Sequence, residues 1–369
     1  MNKNSHLPKI AIIQPLIPHY RQEFFSGIRK VYNTDLYCFE STSQSENMGF
    51  FQTESNYLQL KKWNVGPIYF LSIFPLLTRQ YDVIIILAAI KSPSVWILLL
   101  IMKFCKCKTI LWGHGISLPR YLKESRRIHY IRRLFYSLAD MGWLYTENEC
   151  HLWQKSISRK KFIALGNTIS DVERITALPL HKFSTDLQKK YGIKTRCNFI
   201  FCARFSSPQR HPELLIQLIE LLDPEQYGFI IIGTGPYKPE FSCYKNVYDY
   251  DAVYDSQVKD ELFSIADIYF QPAWIGLSCV EAMAYGKPIL TFQRTEDLHQ
   301  GVEFFYIQDA KCGIIIHSLE EALQEIRKLS MEQIQLLGAR AKNYVKANLT
   351  MAQMIRRAND SIADLLQLM

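Results

Sequence analysis

The sequence predicts an α/β protein built from two parallel sheets, each covered by helices, with a polar connection between them and a helical tail. Three observations carry this. At 369 residues the chain exceeds one ordinary domain and is comfortable for two. Short β-rich runs alternate with helix-length segments, the pattern of parallel strands with helical crossovers. The alternation lapses in a polar, turn-rich stretch and resumes near Asn198.

In the first series, strands are predicted at Ile10–Gln14, Asp35–Phe39, Val83–Ala88, Thr109–Trp112, Trp143–Tyr145 and Lys161–Ala164. Helices are predicted at Tyr20–Val31, Ser94–Phe104, Leu122–Leu138 and Glu147–Ser156. In the second series, strands fall at Phe199–Cys202, Gly228–Ile232, Ile268–Gln271 and Pro288–Phe292, with helices at Pro212–Leu222, Gln257–Ala266 and Leu277–Tyr285. Beyond Ile316 the chain reads as helical through Leu319–Leu329, Met331–Asn348 and Ala352–Leu368. The expected boundaries are a first domain over 1–170, a linker over 171–196, a second domain over 197–345 and a C-terminal helix over 346–369 that packs back toward the first domain.

Composition narrows the class. Apolar residues make up 48% and charged residues 21%, which describes a globular chain with ample core. The formal net charge of +8 suits an acidic partner without choosing one. The nine cysteines show no pairing logic and no metal-ligand spacing, so free thiols in a reducing cytoplasm are expected, with no metal site. The N-terminus lacks a signal-peptide pattern. The apolar stretch Val83–Phe104 is cut by Lys91-Ser92-Pro93-Ser94, so neither piece reaches the roughly 20 residues a bilayer span needs.

The chemistry concentrates in Gln271–Pro288. A strand ends at Gln271, Gly276 lies in the following loop, and a helix opens at Leu277 or Ser278. Such an opening points free amides and the positive end of the helix dipole at the strand's C-terminal edge, where an anion can bind. Glu281, about one turn into the helix, is placed to accept ribose hydroxyls. An ordinary strand-to-helix turn with an exposed Glu fits the same spacing. Arg204, followed by Arg210, gives a cation pair suited to a diphosphate, while Arg204 alone reads more readily as a surface ion-pair residue. Ile232-Gly-Thr-Gly-Pro236 is a turn any strand could end in. His114, between Gly113 and Gly115 after an apolar strand, stands where open α/β sheets bind ligands, although a lone His is often structural. The loop after the first strand, Gln14-Pro-Leu-Ile-Pro-His-Tyr-Arg21, has no glycine, which excludes a dinucleotide fingerprint there. Pro18 suits the first turn of a helix, with His19 and Arg21 as further candidates.

In order along the chain, the Gly113-His114-Gly115 loop, the Arg204 and Arg210 pair, the GTGP turn and GLSCVEAMAYGKPIL resemble the GT-B glycosyltransferases, and among them family 4 (group 1). The resemblance implies two Rossmann-like domains facing a central cleft, with C-terminal helices. It implies that Glu281 binds the nucleotide ribose, that amides around Gly276, Leu277 and Ser278 contact diphosphate, and that His114 acts at the sugar. It further implies transfer of a sugar, with retention, from a nucleotide-sugar donor to a glycan or lipid-linked acceptor in cell-surface polysaccharide synthesis, without a metal or other cofactor. The family usually carries an earlier Glu where this chain has Ala273, and a Lys where it has Arg210. A sugar-nucleotide epimerase or hydrolase on the same fold, and a catalytically silent scaffold subunit, are the alternatives.

The basic stretch Arg120, Lys123, Arg126, Arg127, Arg132 and Arg133 is interleaved with apolar and aromatic residues. It is expected either to lie on the anionic inner face of the cell membrane or to pack its apolar side on the sheet. No motif accompanies it that would indicate nucleic acid.

Overall fold

The computed structural model describes residues 7–40, 57–179 and 185–367. The chain divides into two compact units, Met1–Ser170 with Met351–Met369, and Asp171–Thr350.

The first unit carries β1 (Lys9–Gln14), α1 (Gln22–Arg29), β2 (Asn33–Cys38), β3 (Tyr57–Gln59), β4 (Lys62–Val65), β5 (Ile68–Leu71), α2 (Phe74–Thr78), β6 (Val83–Leu87), α3 (Pro93–Met102), β7 (Lys108–Trp112), α4 (Tyr121–Glu124), α5 (Tyr130–Leu138), β8 (Met141–Leu144), α6 (Glu147–Ser156) and β9 (Lys161–Ala164). Its parallel sheet runs β3-β2-β1-β6-β7-β8-β9. Strand order reverses between β1 and β6, which are directly paired, with Ile10 opposite Val83. Residues 10–13 and 83–86 are all buried, the continuous apolar reading of strands covered on both faces. The second unit carries α7 (Val172–Ala177), α8 (Thr185–Lys190), β10 (Cys197–Cys202), α9 (Pro212–Leu221), β11 (Tyr227–Ile232), β12 (Val247–Asp249), α10 (Ser256–Ile265), β13 (Ile268–Phe270), α11 (Leu277–Ala284), β14 (Ile289–Phe292), α12 (Phe304–Ala310), β15 (Gly313–Ile316), α13 (Leu319–Lys328) and α14 (Met331–Asn348). Its sheet, β12-β11-β10-β13-β14-β15, reverses between β10 and β13. Each sheet therefore has a switch point, the place where open α/β sheets open a crevice at their strand ends.

The final helix, α15 (Met351–Gln367), belongs to the first unit. Met351, Met354, Ala358, Ile362 and Leu365 recur at helical spacing and are buried in the same core as Phe24, Phe25 and Ile28 of α1. Trp143 Nε1 donates to Ser361 Oγ at 2.9 Å, tying β8 to α15. The expected helical end at Leu368 lies outside the described residues.

Three expectations read differently in the structure. Of residues 171–196, expected as a linker, 180–184 lie outside the described residues; the others form α7, α8 and the approach to β10 within the second unit. Val172 and Ile175, an i,i+3 pair, bury α7 against its neighbours. The expected helix Leu122–Leu138 is two helices, α4 and α5. The reason is a buried carboxylate: Glu124 is 5% exposed and accepts from Arg132 Nε at 2.9 Å. In one straight helix, residues eight apart would be roughly 12 Å apart along the axis. The chain has to turn at residues 125–129 to bring Arg132 back. The third difference is the antiparallel β4–β5 hairpin, closed at Gly66 with φ +57°, which the sequence reading left unassigned.

Candidate functional site

In the second unit the site is assembled at the switch point of the sheet. β10 delivers Cys202 and the loop to Arg204 and Arg210, while β13 delivers the 271–276 loop and α11. Gln271 is fully buried and organises this loop. Its Oε1 accepts from Tyr269 OH at 2.6 Å and from Ser278 Oγ at 2.9 Å. Its Nε2 donates to Ala273 O at 3.0 Å and Trp274 O at 2.8 Å. The Ser278 hydroxyl is therefore committed to the loop, leaving the backbone amides of Leu277 and Ser278 as the groups that open the helix without an intrahelical acceptor. Gly276 caps the helix, and a Cβ placed on it would meet no protein atom within 4 Å, so the space before these amides is open.

A second buried amide side chain, Gln300, holds the loop from the other side. Its Nε2 donates to Pro272 O, Thr291 Oγ1 and Phe292 O, and its Oε1 accepts from Ile275 N at 3.1 Å. Gly301 follows because a Cβ there would lie 1.8 Å from Ile275 O. Sequence reasoning missed Gln300; nothing in its local pattern distinguishes it from a loop glutamine. The loop also holds Trp274 at φ +54°. Ala273 is fully buried, so its side chain faces protein.

Glu281 Oε1 accepts from Lys259 Nζ of α10 at 3.0 Å, and its Oε2 lies 4.0 Å from Cys202 Sγ. This carboxylate is thus paired within the unit, a partner the sequence reading did not foresee. Arg210 presents the opposite situation. Its Nε and Nη1 are shut off from solvent and have no acceptor among the described residues. Burial lowers its pKa below the ordinary guanidinium value, Tyr269 works against that, and Arg204 adds to it. An anion bound at Nε and Nη1 of Arg210 would relieve both its burial and the repulsion from Arg204. Gly233 and Gly235 serve packing: a Cβ on either would collide with Ala203 O or Phe205 O, which lets the 232–236 turn lie against the Arg204 loop.

His114 sits in the first unit beyond β7, with its ring 4.9 Å from that of Tyr145. It lines a cavity of about 240 Å³ together with Gln14, Tyr20, Arg21, Trp112 and Asn167. His114 is exposed. Crowding by the surrounding protein and then the Arg21 guanidinium lower its pKa, which favours the neutral imidazole. Arg21 is buried, donating Nη1 to Met354 Sδ at 2.7 Å and Nη2 to Asn167 Oδ1. The glycines flanking His114 have different roles. A Cβ on Gly115 would fall 2.1 Å from Trp153 Nε1, whereas one on Gly113 meets only ordinary contacts. Gly115 N donates to Glu149 Oε1 at 3.1 Å, and Glu149 Oε2 also accepts from Tyr145 N. The buried Glu149, which the sequence reading passed over, thereby ties the His114 loop to the start of α6.

Among the described residues no three His, Cys, Asp or Glu side chains gather as a metal-ligand set. Nor does any described helix have the length and apolarity to cross a membrane.

Residues 183–345 match the family described as "Glycosyl transferases group 1". A comparison with curated proteins found no match. Among solved structures, Anabaena HepE in complex with UDP superimposes with a TM-score of 0.66 at 12% identity, covering 97% of this chain and 100% of that one. The E. coli trehalose-6-phosphate protein bound with UDP-2-fluoro glucose gives 0.60 at 13% identity, covering 97% and 99%. WaaG, a glycosyltransferase involved in lipopolysaccharide biosynthesis, gives 0.56 at 14% identity, covering 96% and 99%. The chain has the GT-B fold, and residues 183–345 of it are similar to the group 1 glycosyl transferases.

Proposed function

We propose that the protein transfers a sugar, of hexosyl type and with retention, from a nucleotide-sugar donor to a glycan or lipid-linked acceptor of cell-surface polysaccharide synthesis, in the manner of glycosyltransferase family 4. The observation that carries the donor reading is Arg210: a half-buried guanidinium whose enclosed Nε and Nη1 lack acceptors among the described residues, near a second cation. A diphosphate supplies acceptor oxygens and a counter-charge for Arg210. Arg204 and Arg210 then stabilise the leaving diphosphate as its charge grows during transfer, joined by the amides of Leu277 and Ser278 beside Gly276. No metal or other cofactor is needed for this. Glu281 takes the ribose hydroxyls, with Lys259 fixing the carboxylate. His114, neutral, accepts a hydrogen bond from the sugar or the acceptor hydroxyl. Structural relatives described with UDP and with a UDP-sugar support the donor class, and WaaG's described role supports the acceptor class. The protein works in the cytoplasm, held peripherally at the inner face of the membrane through the basic segment 120–133.

A thermal-shift screen against UDP-, GDP- and other nucleotide sugars tests the reading. Stabilisation by one nucleotide series is expected; a folded protein that responds to none contradicts it. Donor consumption without any acceptor would favour an epimerase or hydrolase, and binding without turnover a scaffold subunit.

A further inference from the structure

We infer that the membrane surface of the first unit centres on α3, whose outer face inserts into an anionic bilayer while α5 and the β4–β5 hairpin flank it. This builds on the peripheral association proposed above and relocates its apolar part. α3 reads as an interior helix, apolar all round. Yet only one side is covered: Val95, Leu98 and Leu99 are buried, whereas Ile97 and Leu100 are about half exposed, Ile101 is 36% exposed and Phe104, just beyond the helix, is 92% exposed.

The neighbouring elements repeat the pattern. Trp96 of α3 packs against Phe135 of α5 at 4.8 Å between rings, and α5 leaves Tyr130, Ile131 and Leu134 exposed. On the other flank Leu71 N of β5 donates to Ser94 Oγ, and the hairpin leaves Trp63, Val65 and Ile68 exposed. Three adjoining elements thus offer side chains of the kinds that settle at a bilayer's headgroup and acyl boundary.

Charge selects the partner. Neither 92–106 nor 125–138 contains an acidic residue. Lys103, Lys106, Arg126, Arg127 and Arg133 are exposed, and they enter no ion pair among the described residues. Unpaired basic groups around an apolar patch complement anionic lipid headgroups. A protein partner or a second copy would have to supply matching acids.

The test is sedimentation of the full chain with vesicles of phosphatidylcholine alone or with phosphatidylglycerol added, comparing wild type with Leu100→Ser/Phe104→Ser and with Arg126→Gln/Arg127→Gln/Arg133→Gln. All substituted side chains are exposed, and thermal melting checks folding. Binding should require phosphatidylglycerol and fall roughly tenfold or more in either variant, since both apolar burial and charge contribute. Anionic-vesicle binding unaffected by Leu100→Ser/Phe104→Ser would overturn insertion of α3 while leaving charge-driven association standing. No binding to either vesicle would overturn both. Self-association abolished by the same apolar variant, without vesicle binding, would assign the face to a second copy instead. None of these outcomes bears on donor binding, which the nucleotide-sugar screen reads separately.

Discussion

Lys259 Nζ lies 3.0 Å from Glu281 Oε1, joining α10 to α11 at the edge of the candidate donor site. Burial alone would lower the Lys259 pKa, but the carboxylate, with smaller help from Cys202 and Asp171, holds it raised. The pair is fixed before any ribose arrives, which pre-orients the acceptor oxygens. Lys259→Met should therefore weaken nucleotide-sugar binding by roughly three- to tenfold, less than Glu281→Ala, as measured by titration calorimetry. Equal affinity in Lys259→Met and wild type would remove Lys259 from the site.

Arg210 should respond in the opposite way in the two states. Without ligand, the enclosed Nε and Nη1 lack acceptors among the described residues, so Arg210→Met is expected to leave melting unchanged or raise it. With nucleotide diphosphate present, the same change should cost roughly tenfold or more in affinity. Paired melts with and without ligand check both signs at once.

The His114 loop depends on Gly115. Adding a methyl group drives it into Trp153 and disturbs the Gly115 bond to Glu149. Gly115→Ala should destabilise the first unit by about 1–3 kcal/mol, the usual cost of overpacking. Gly113 sits at φ +157°, so Gly113→Ala costs backbone strain without a side-chain collision and separates the two effects. His114→Ala should reduce turnover more than donor binding.

Lys287 gives a pH-dependent prediction. Its side chain is 3% exposed and donates to Ala266 O, and burial lowers its pKa to about 8. In the unfolded chain it titrates near 10.4, so between these values the unfolded state binds more protons and stability rises with pH. Chemical denaturation of wild type should therefore gain stability from Lys287 between pH 8 and pH 10, by up to about 3 kcal/mol. Lys287→Met should lose this slope, and an identical slope in both proteins would contradict the assignment.

Much of this architecture was legible because parallel strands buried on both faces spell themselves as apolar runs. Val83–Leu87 and Phe199–Cys202 are such cases. Short edge elements such as Val247–Asp249 carry too few residues to show a period. In the site, the charged and glycine-flanked positions were visible because their chemistry is unusual for a loop. Gln271, Gln300 and Glu149 matter through three-dimensional bonding that no local spacing encodes. Ala273 shows the same limit: its difference from the family pattern is plain in the sequence, but its complete burial is not. The break at residues 125–129 likewise answers to Glu124, whose burial the surrounding arginines concealed.

The most direct test of the donor site is calorimetric titration of UDP, GDP and their monophosphates into wild type and Arg210→Met. One diphosphate should bind wild type roughly tenfold or more tightly than its monophosphate, and Arg210→Met should erase most of that difference. A diphosphate preference that survives intact in Arg210→Met would show that the anion is held elsewhere.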